Sequence, residues 1–210
     1  MEQQFDMPGL VRALQSFSTA GVPAHRVSEL LQHSSISPHA LAPYLYWESG
    51  RYTRNLVYRD AAFEVLVVCW SPGSVSPIHD HAGQECWLYV HQGALAVDDY
   101  ALDAPGEQGR VGPNVRVHHT ETLPEVGRGG LDHRSTHNAV HRVRNSSDVP
   151  CVSVHVYGRP VDACIVYDAE AATARWAQLS YHSVGGKRCA AASRGNGERP
   201  RPRAAAAAWQ

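Results

Sequence analysis

The sequence predicts a mainly β protein, a closed antiparallel barrel of the jelly-roll type with N-terminal helices packed outside it. From about Arg51 the chain consists of short apolar or alternating runs separated by Gly, Pro, Asn and Asp. Many short strands with turn residues between them, and little helix, favour such a closed β architecture. Before Arg51 the apolar residues instead recur at helical spacing, and after His182 the composition becomes basic and alanine-rich.

Residues 1–50 have the apolar spacing of helices, which we expect to pack on one face of a sheet. One stripe begins after Pro8, a second begins after Pro23, and Ser37-Pro38 can start a third. The apolar positions are Leu10, Val11, Leu14 and Phe17 in the first stripe, Val27, Leu30 and Leu31 in the second, and Leu41, Leu45 and Trp47 in the third.

The strands are predicted from runs of apolar and β-branched residues bounded by turn residues. A glycine-rich stretch at Leu123–His133 interrupts them and is predicted to be a long loop. The predicted strands are Arg54–Tyr58, Phe63–Trp70, Glu85–His91, Ala94–Tyr100, Val115–His118, Ala139–Asn145, Cys151–Tyr157, Cys164–Tyr167 and Ala174–Tyr181.

The chain therefore divides into a helical segment at residues 1–50, a barrel at residues 51–184 and a tail at residues 185–210. The tail contains Gly, Arg, Pro and a run of Ala, and this composition is typical of disorder. Its arginines could contact RNA or an acidic partner, but a merely solvated tail is the commoner case.

Composition limits the class of protein. The 210 residues suffice for one domain with a substantial core. A formal charge of −1 gives no electrostatic case for nucleic acid or an anionic membrane. The sequence has no apolar run near the ~20 residues of a membrane helix and no signal-peptide pattern. The 5 cysteines lack CxxC spacing, which argues against a disulfide framework or a zinc ribbon. We expect a cytoplasmic monomer without nucleic-acid or membrane partners.

The sequence His-Asp-His at residues 79–81 is the strongest indication of chemistry. Residues two apart on a strand share a face, so His79 and His81 can direct both imidazoles at one point. Gly73 precedes the first histidine by six residues, and Gly93 follows the second by twelve. This frame resembles the first motif of the cupin barrels, Gly-x5-His-x-His-x3,4-Glu-x6-Gly, and the resemblance implies a metal site inside the barrel.

His141 is the best candidate for a third ligand, because His141-x3-Asn145 resembles the second cupin motif. Asn138 stands where that motif has glycine, and asparagine tolerates the left-handed backbone of a turn. Three imidazoles are neutral ligands that suit zinc, iron or copper, so the residues alone do not choose the metal. Such a set favours an anionic substrate, for example a thiolate. The histidines that compete for a ligand role are His91, His118, His119, His133, His137 and His155.

A second group of polar residues lies on the predicted strand Cys151–Tyr157. Ser153, His155 and Tyr157 share one face, and the valines share the other. Inward polar groups require hydrogen bonds, so we expect a Ser-His-Tyr relay that orients the Tyr157 hydroxyl. A nucleophilic serine is disfavoured because the strand offers no orienting acid and no elbow. Arg54 could clamp a carboxylate if its guanidinium points into the barrel.

Several ordered segments together resemble cysteine dioxygenase, over about residues 5–188. The resemblance implies ferrous iron on His79, His81 and His141, with L-cysteine bound through its thiolate and amine. It also implies that Arg54 and Tyr52 hold the substrate carboxylate. Both atoms of O2 would go to sulfur, giving cysteine sulfinic acid, while Tyr157 contacts the substrate and the oxygen. The matching segments are Tyr52–Val57, Cys69-Trp70, Ser76–His81, His141–Asn145, Val152–Tyr157, Pro160–Cys164 and Tyr181–Ser183.

The position of the glutamate in the first cupin motif is ambiguous. Counted back from Gly93 it is occupied by Cys86, and Glu85 fits only with a longer last spacer. The resemblance implies a thioether cross-link between Cys86 and Tyr157, as in animal-type members of the family. The alternative is a free buried thiol.

Three rival functions remain open at this point. The first is dioxygenation of another thiol, such as 3-mercaptopropionate, cysteamine or an N-terminal cysteine. The second is a non-enzymatic metal-binding cupin, and the third is a zinc or manganese isomerase. The isomerase would need Glu85 as a ligand or base.

Overall fold

The computed structural model describes residues 3–17, 23–103, 109–135 and 140–190. Its helices are α1 (Met7–Gln15), α2 (Ala24–Gln32) and α3 (Pro38–Leu41), followed by a 3-10 helix at Ala42–Tyr44. Its strands are β1 (Gln3–Phe5), β2 (Ser34–Ile36), β3 (Tyr52–Arg59), β4 (Glu64–Trp70), β5 (Ile78–His79), β6 (Cys86–Gln92), β7 (Ala94–Leu102), β8 (Gly112–Pro113), β9 (Val117–Thr122), β10 (Val126–Gly127), β11 (Leu131–Arg134), β12 (His141–Arg144), β13 (Cys151–Tyr157), β14 (Ala163–Asp168), β15 (Thr173–Gln178), β16 (Ser183–Val184) and β17 (Lys187–Arg188).

Two sheets face each other across an apolar interior. The first, which we call the covered sheet, has the order β11-β6-β13-β4-β3-β16-β17. The second, the open sheet, has the order β10-β7-β12-β5-β14-β15-β8, with β9 also paired to β7. One buried cluster joins Leu66, Leu88 and Val90 of the covered sheet to Leu95 and Val143 of the open sheet. The mainly β, cupin-type barrel that the sequence predicts is confirmed.

The central strands of the covered sheet, β4, β6 and β13, are buried on both faces. Successive residues along each strand point to opposite faces. Val152, Val154 and Val156 of β13 point outwards and pack in one cluster with helix residues such as Leu10 and Leu31. The residues between these valines point into the barrel. All seven residues of β13 are buried. The outer face of this strand therefore supplies apolar packing, and its inner face is free to carry polar chemistry.

The helices cover the outer face of this sheet, as predicted. The Asp6 side chain caps α1 by accepting a hydrogen bond from the Gly9 amide at 2.6 Å, and Pro8 lies in the first turn. The third predicted helix is shorter than expected. It passes into the 3-10 turn at Pro43, where proline cannot donate the next helical hydrogen bond. Trp47 consequently lies beyond the helices and is 40% exposed.

The structure differs from the sequence prediction at several element boundaries. Residues 131–133, the end of the predicted loop, instead belong to strand β11, which extends the covered sheet by pairing with β6. The strand predicted at Val115–His118 instead runs over Val117–Thr122. A short parallel pair, β1 with β2, lies among the helices. The predicted tail boundary at residue 185 falls inside the β16–β17 hairpin, and residues 191–210 lie outside the described residues. None of the helices in the described ranges is long and apolar enough to span a membrane.

Candidate metal centre and active site

Three histidines meet inside the barrel. His79 ends β5, His81 lies two residues further on, and His141 begins β12 directly opposite His79. Their ligand nitrogens all lie within 4.8 Å of one another. The Nε2 atoms of His81 and His141 are 3.2 Å apart. In the described part of the chain, no other group of three or more metal-ligating side chains converges in this way.

The protonation of this cluster fits a bound cation. Burial lowers the pKa of His79, and burial followed by the proximity of His79 lowers the pKa of His81 and His141 well below its ordinary value. The imidazoles are therefore neutral, and each offers a lone pair. His79 Nδ1 donates to the Pro77 carbonyl at 2.9 Å, which leaves its Nε2 lone pair free for a ligand role. Three neutral imidazole nitrogens in one buried pocket are a donor set that suits a divalent transition metal.

Asp80 holds the turn that carries the two histidines, although the sequence reasoning did not single it out. Asp80 is buried, and its Oδ1 accepts hydrogen bonds from the Ala82 amide at 3.1 Å and the Ile165 amide at 3.0 Å. Its Oδ2 accepts from the Tyr167 hydroxyl at 3.3 Å. Asp80 therefore ties the turn to β14. A carboxylate between two ligands has no sequence signal that distinguishes it from a solvated one.

The glycine frame of the motif has a structural reason. Gly73 and Gly93 both have positive φ, 73° and 79° respectively, which side chains other than glycine rarely adopt. A Cβ atom at Gly93 would also lie 3.0 Å from the Cβ of Cys151. The second glycine thus permits the tight turn between β6 and β7 beside β13.

A hydrogen-bonded relay runs along the inner face of β13. The Trp70 indole, which can only donate, lies 2.8 Å from Ser153 Oγ, and Ser153 Oγ lies 2.9 Å from His155 Nε2. In the arrangement that satisfies all three groups, the serine hydroxyl donates to Nε2, so the proton of the neutral imidazole is on Nδ1. His155 Nδ1 lies 3.5 Å from the Tyr157 hydroxyl oxygen. The relay therefore leaves the Tyr157 hydrogen available to the cavity, and Trp70 is a member that sequence reasoning missed.

Burial sets the charge states of this relay. Burial, with smaller effects from Arg54 and His79, lowers the pKa of His155 to about 3. Burial and the neighbouring Cys86 raise the pKa of Tyr157 well above its ordinary value. At neutral pH both side chains are uncharged, so the relay orients a phenol rather than a phenolate.

Cys86, and not Glu85, lies on the inner face of the barrel. Cys86 is buried and is the direct cross-strand partner of Tyr157. Glu85 points elsewhere, with its Oε2 atom 2.5 Å from His133 Nε2. Burial raises the pKa of the Cys86 thiol, so the thiol is protonated at neutral pH. The geometry gives the isomerase alternative no carboxylate ligand at Glu85.

Arg54 and Tyr52 enter the same cavity as the histidines. This cavity has a volume of about 630 Å³, and its walls include every predicted site residue except Ser153. Arg54 is 8% exposed, and among the described residues neither Nη1 nor Nη2 has a hydrogen-bond partner. Tyr52 stacks on Trp70 with 4.9 Å between ring centroids. Cys164 also lines this cavity, and burial raises the pKa of its thiol to about 11.

None of the competing histidines in the described residues belongs to the three-histidine cluster. His118 contacts Asp103 at the surface, His119 contacts Thr122, and His133 stacks on Trp87. His91 is on β6 beyond the cavity lining, and His155 belongs to the relay. His137, like Asn138, lies outside the described residues. Among the described residues, the structure thus brings only the three predicted ligands together in one metal-ligating group.

A cluster of charged residues lies in the interior next to the site; we call Asp99, Asp132 and Arg134 the interior charge cluster. Arg134 is 1% exposed and makes two hydrogen bonds to Asp132, at 2.7 and 2.8 Å, and one to Asp99 at 2.5 Å. Arg134 is the cross-strand partner of Cys86, and Asp99 is that of His141. This cluster therefore forms the wall behind the thiol and the third histidine.

The barrel and its three-histidine cluster define a metal-binding cupin. A family model described as "Cysteine dioxygenase type I" matches residues 6–170. The chain belongs to this family, and membership supports dioxygenase activity on a thiol. Cysteine dioxygenase type 1 of Homo sapiens is 29% identical over 190 residues, covering 89% of this chain and 91% of the relative. The Rattus norvegicus protein of that name is 30% identical over 182 residues, covering 85% and 87%.

Solved structures with lower sequence identity also match. A protein from Thermus thermophilus is 21% identical with a TM-score of 0.43, covering 57% of this chain and 95% of that chain. A cupin superfamily protein from Desulfitobacterium hafniense is 5% identical with a TM-score of 0.40, covering 55% and 84%.

Proposed function

We propose that this chain is an iron-dependent dioxygenase that converts L-cysteine and O2 to cysteine sulfinic acid. The observation that carries the proposal is one cavity in which the three-histidine cluster faces a buried arginine with unused donors. The overall reaction adds both oxygen atoms to sulfur, so R–SH and O2 give R–SO2H without another reductant.

His79, His81 and His141 are the residues that would hold iron. When bound, ferrous iron supplies a centre at which a thiol and O2 are brought together and exchange electrons. The neutral ligand set does not offset the charge of a dication, so an anionic thiolate is a favoured partner for it. Asp80 supports this role because it fixes the turn between two of the ligands.

Arg54 would bind the carboxylate of the substrate. A guanidinium presents paired N–H donors whose geometry matches a carboxylate, and its two terminal nitrogens have no other hydrogen bond in the described structure. Tyr52 lines the cavity beside it and would add a hydroxyl contact. This pair gives a short thiol acid an advantage over cysteamine, which has no carboxylate.

Tyr157 would donate a hydrogen bond to the substrate or to the incoming oxygen. The relay from Trp70 through Ser153 and His155 supports this role, because it consumes an acceptor site of the phenol oxygen and leaves the phenol hydrogen free. The neutral state of His155 keeps the direction of these hydrogen bonds the same over the physiological pH range.

Oxygen uptake by the iron-loaded protein, compared with L-cysteine, 3-mercaptopropionate and cysteamine, tests the proposal. We expect L-cysteine to be consumed preferentially, with the sulfinate as product. R54A should raise KM for L-cysteine while iron content stays the same, since it removes a binding contact and no ligand. Preference for 3-mercaptopropionate would reassign the substrate, and no uptake with any thiol would favour a non-enzymatic cupin.

A further inference from the structure

The counter-charge of Arg54 is Glu64, a residue that neither the relay nor the metal centre uses. Glu64 begins β4 and is fully buried on the inner face, directly opposite Tyr157. Its Oε1 atom lies 3.6 Å from Arg54 Nη2. A buried guanidinium without a nearby anion is costly, so this carboxylate is what allows Arg54 to remain in the barrel wall.

The distance between the two groups has a consequence for binding. At 3.6 Å the contact is electrostatic and too long for a hydrogen bond. Glu64 therefore neutralises the guanidinium without occupying the N–H groups that a substrate carboxylate needs. Arg54 gains a counter-charge and keeps its donors.

Other contacts hold the carboxylate at this distance. Glu64 Oε1 accepts a hydrogen bond from the Tyr181 hydroxyl at 2.9 Å, and Oε2 accepts one from the Val161 amide at 3.1 Å. Arg59 in turn donates to the Tyr181 oxygen at 2.9 Å and forms two hydrogen bonds to Asp162. These contacts form a line from the surface to the cavity and hold the carboxylate away from the Arg54 donors.

We propose that Glu64 is a positioning residue that limits how tightly Arg54 binds a carboxylate and so sets the affinity of the site for thiol acids. This inference rests on the proposed function, because it takes Arg54 as the carboxylate clamp. Arg54 attracts the carboxylate of a bound substrate, whereas the like charge of Glu64, 3.6 Å from the guanidinium, repels that carboxylate. The result is a moderate affinity that permits an anionic product to leave.

Two substitutions have opposite expected effects. In E64Q the repulsion is removed, and L-cysteine should bind roughly tenfold more tightly, the size of effect that one removed charge a few ångströms away produces in a partly shielded site. In Y181F the carboxylate loses the hydrogen bond that restrains it, moves onto the Arg54 donors and competes with the ligand. L-Cysteine should then bind several-fold more weakly.

The measurement is anaerobic titration calorimetry of the iron-loaded protein with L-cysteine and, separately, with cysteamine. Cysteamine has no carboxylate, so its affinity should change less than that of L-cysteine in both variants. E29Q, an exposed change on α2 outside the covered sheet, is the charge-matched control and should equal the wild type. General loosening of the fold would weaken both ligands in both variants.

The outcomes separate the two proposals. Tighter L-cysteine binding in E64Q together with weaker binding in Y181F supports the role of Glu64. Unchanged or weaker binding in E64Q, when R54A also weakens binding, rejects Glu64 as the limiting charge while keeping the clamp. If R54A binds L-cysteine as tightly as the wild type does, Arg54 is not the carboxylate clamp, and its role in the proposed function is rejected as well. If E64Q does not fold, the Y181F result alone decides, because that variant keeps the charge pair.

Discussion

Cys86 on β6 and Tyr157 on β13 lie directly opposite each other on the inner face of the covered sheet. Cross-strand partners on one face have Cβ atoms about 4.5–5.5 Å apart, which brings a thiol and a phenol ring into contact. The same row continues to Arg134 on one side and to Glu64 on the other. The thiol and the phenol are thus fixed between two charged residues.

We expect a thioether to form between Cys86 and Tyr157 when the iron-loaded protein turns over with L-cysteine and O2. The bond replaces the thiol hydrogen and one ring hydrogen, and O2 accepts the two electrons and two protons to give hydrogen peroxide. Peptide mass spectrometry should detect the linked pair in the wild type and in C164S, whose thiol lines the same cavity. C86S and Y157F should lack it. Two unlinked peptides after many turnovers would show that Cys86 remains a free thiol.

Substitution H141A should remove metal binding and activity together, because it deletes a ligand of the three-histidine cluster. Iron content measured by elemental analysis should fall at least tenfold in a chelator-buffered solution, because changing even a residue that only supports a ligand lowers metal affinity by about 10–100-fold. H119A is the matched control, since His119 contacts Thr122 on exposed strand β9 and should keep full iron content. Stoichiometric iron in H141A would exclude this histidine as a ligand.

The metal-free protein should lose stability as the pH falls below about 6.5, because the unfolded chain then takes up protons that native His155 does not. The pKa of His155 is about 3 in the fold, lowered chiefly by burial. The stability that the neutral buried His155 gives the fold is therefore lost progressively between pH 6.5 and pH 3, and the loss has reached about 2 kcal/mol at pH 5.

Denaturant unfolding at pH 7 and pH 5 measures this effect. H155Q should show a smaller loss between the two pH values than the wild type does, while H33Q, at an exposed helix end, should behave like the wild type. Equal losses in the wild type and H155Q would mean that His155 takes up its proton in the native state.

Removal of Arg134 alone should be severely destabilising, because it leaves Asp132 and Asp99 without their cation in the interior charge cluster. We expect R134M to lower the free energy of unfolding by about 3–5 kcal/mol, as is typical when one partner of a buried ion pair is lost. The combined change D99N/D132N/R134M removes all three charges and should recover part of that loss. A loss below about 1 kcal/mol in R134M would show that water reaches the cluster.

Alternation along the strands made the chemistry of β13 predictable. Valines alternate with Ser153, His155 and Tyr157 along this strand, so the valines point to one face and the three polar residues to the other. The structure has the strand at the predicted residues. The same period of two places Cys86 and Glu85 on opposite faces. Cys86 shares the inner face with Leu88, and Glu85 shares the outer face with Trp87, which packs with the helices. The three histidines were also predictable, since two local spacings identify them.

Long-range pairing limits what the sequence can predict. The strand at Leu131–Arg134 looks like a loop because three glycines precede it and because charged residues usually mark solvent. It forms because Asp132 and Arg134 neutralise each other on the inner face while their backbone pairs with β6. Glu64 is a similar case: its partner Arg54 is on a neighbouring strand, and no local pattern distinguishes a buried counter-charge from a surface one.

The central place of β13 has a consequence for the dynamics of the site. Its amides and carbonyls are paired to β4 on one side and to β6 on the other, and both of its faces are covered. Amide hydrogens in such a strand exchange with solvent only when the whole domain opens, whereas edge strands and turns exchange through local fluctuations. Local fluctuations elsewhere in the barrel therefore leave Ser153, His155 and Tyr157 in register. The slowest-exchanging amides of the protein should belong to the strand that aligns its reactive groups.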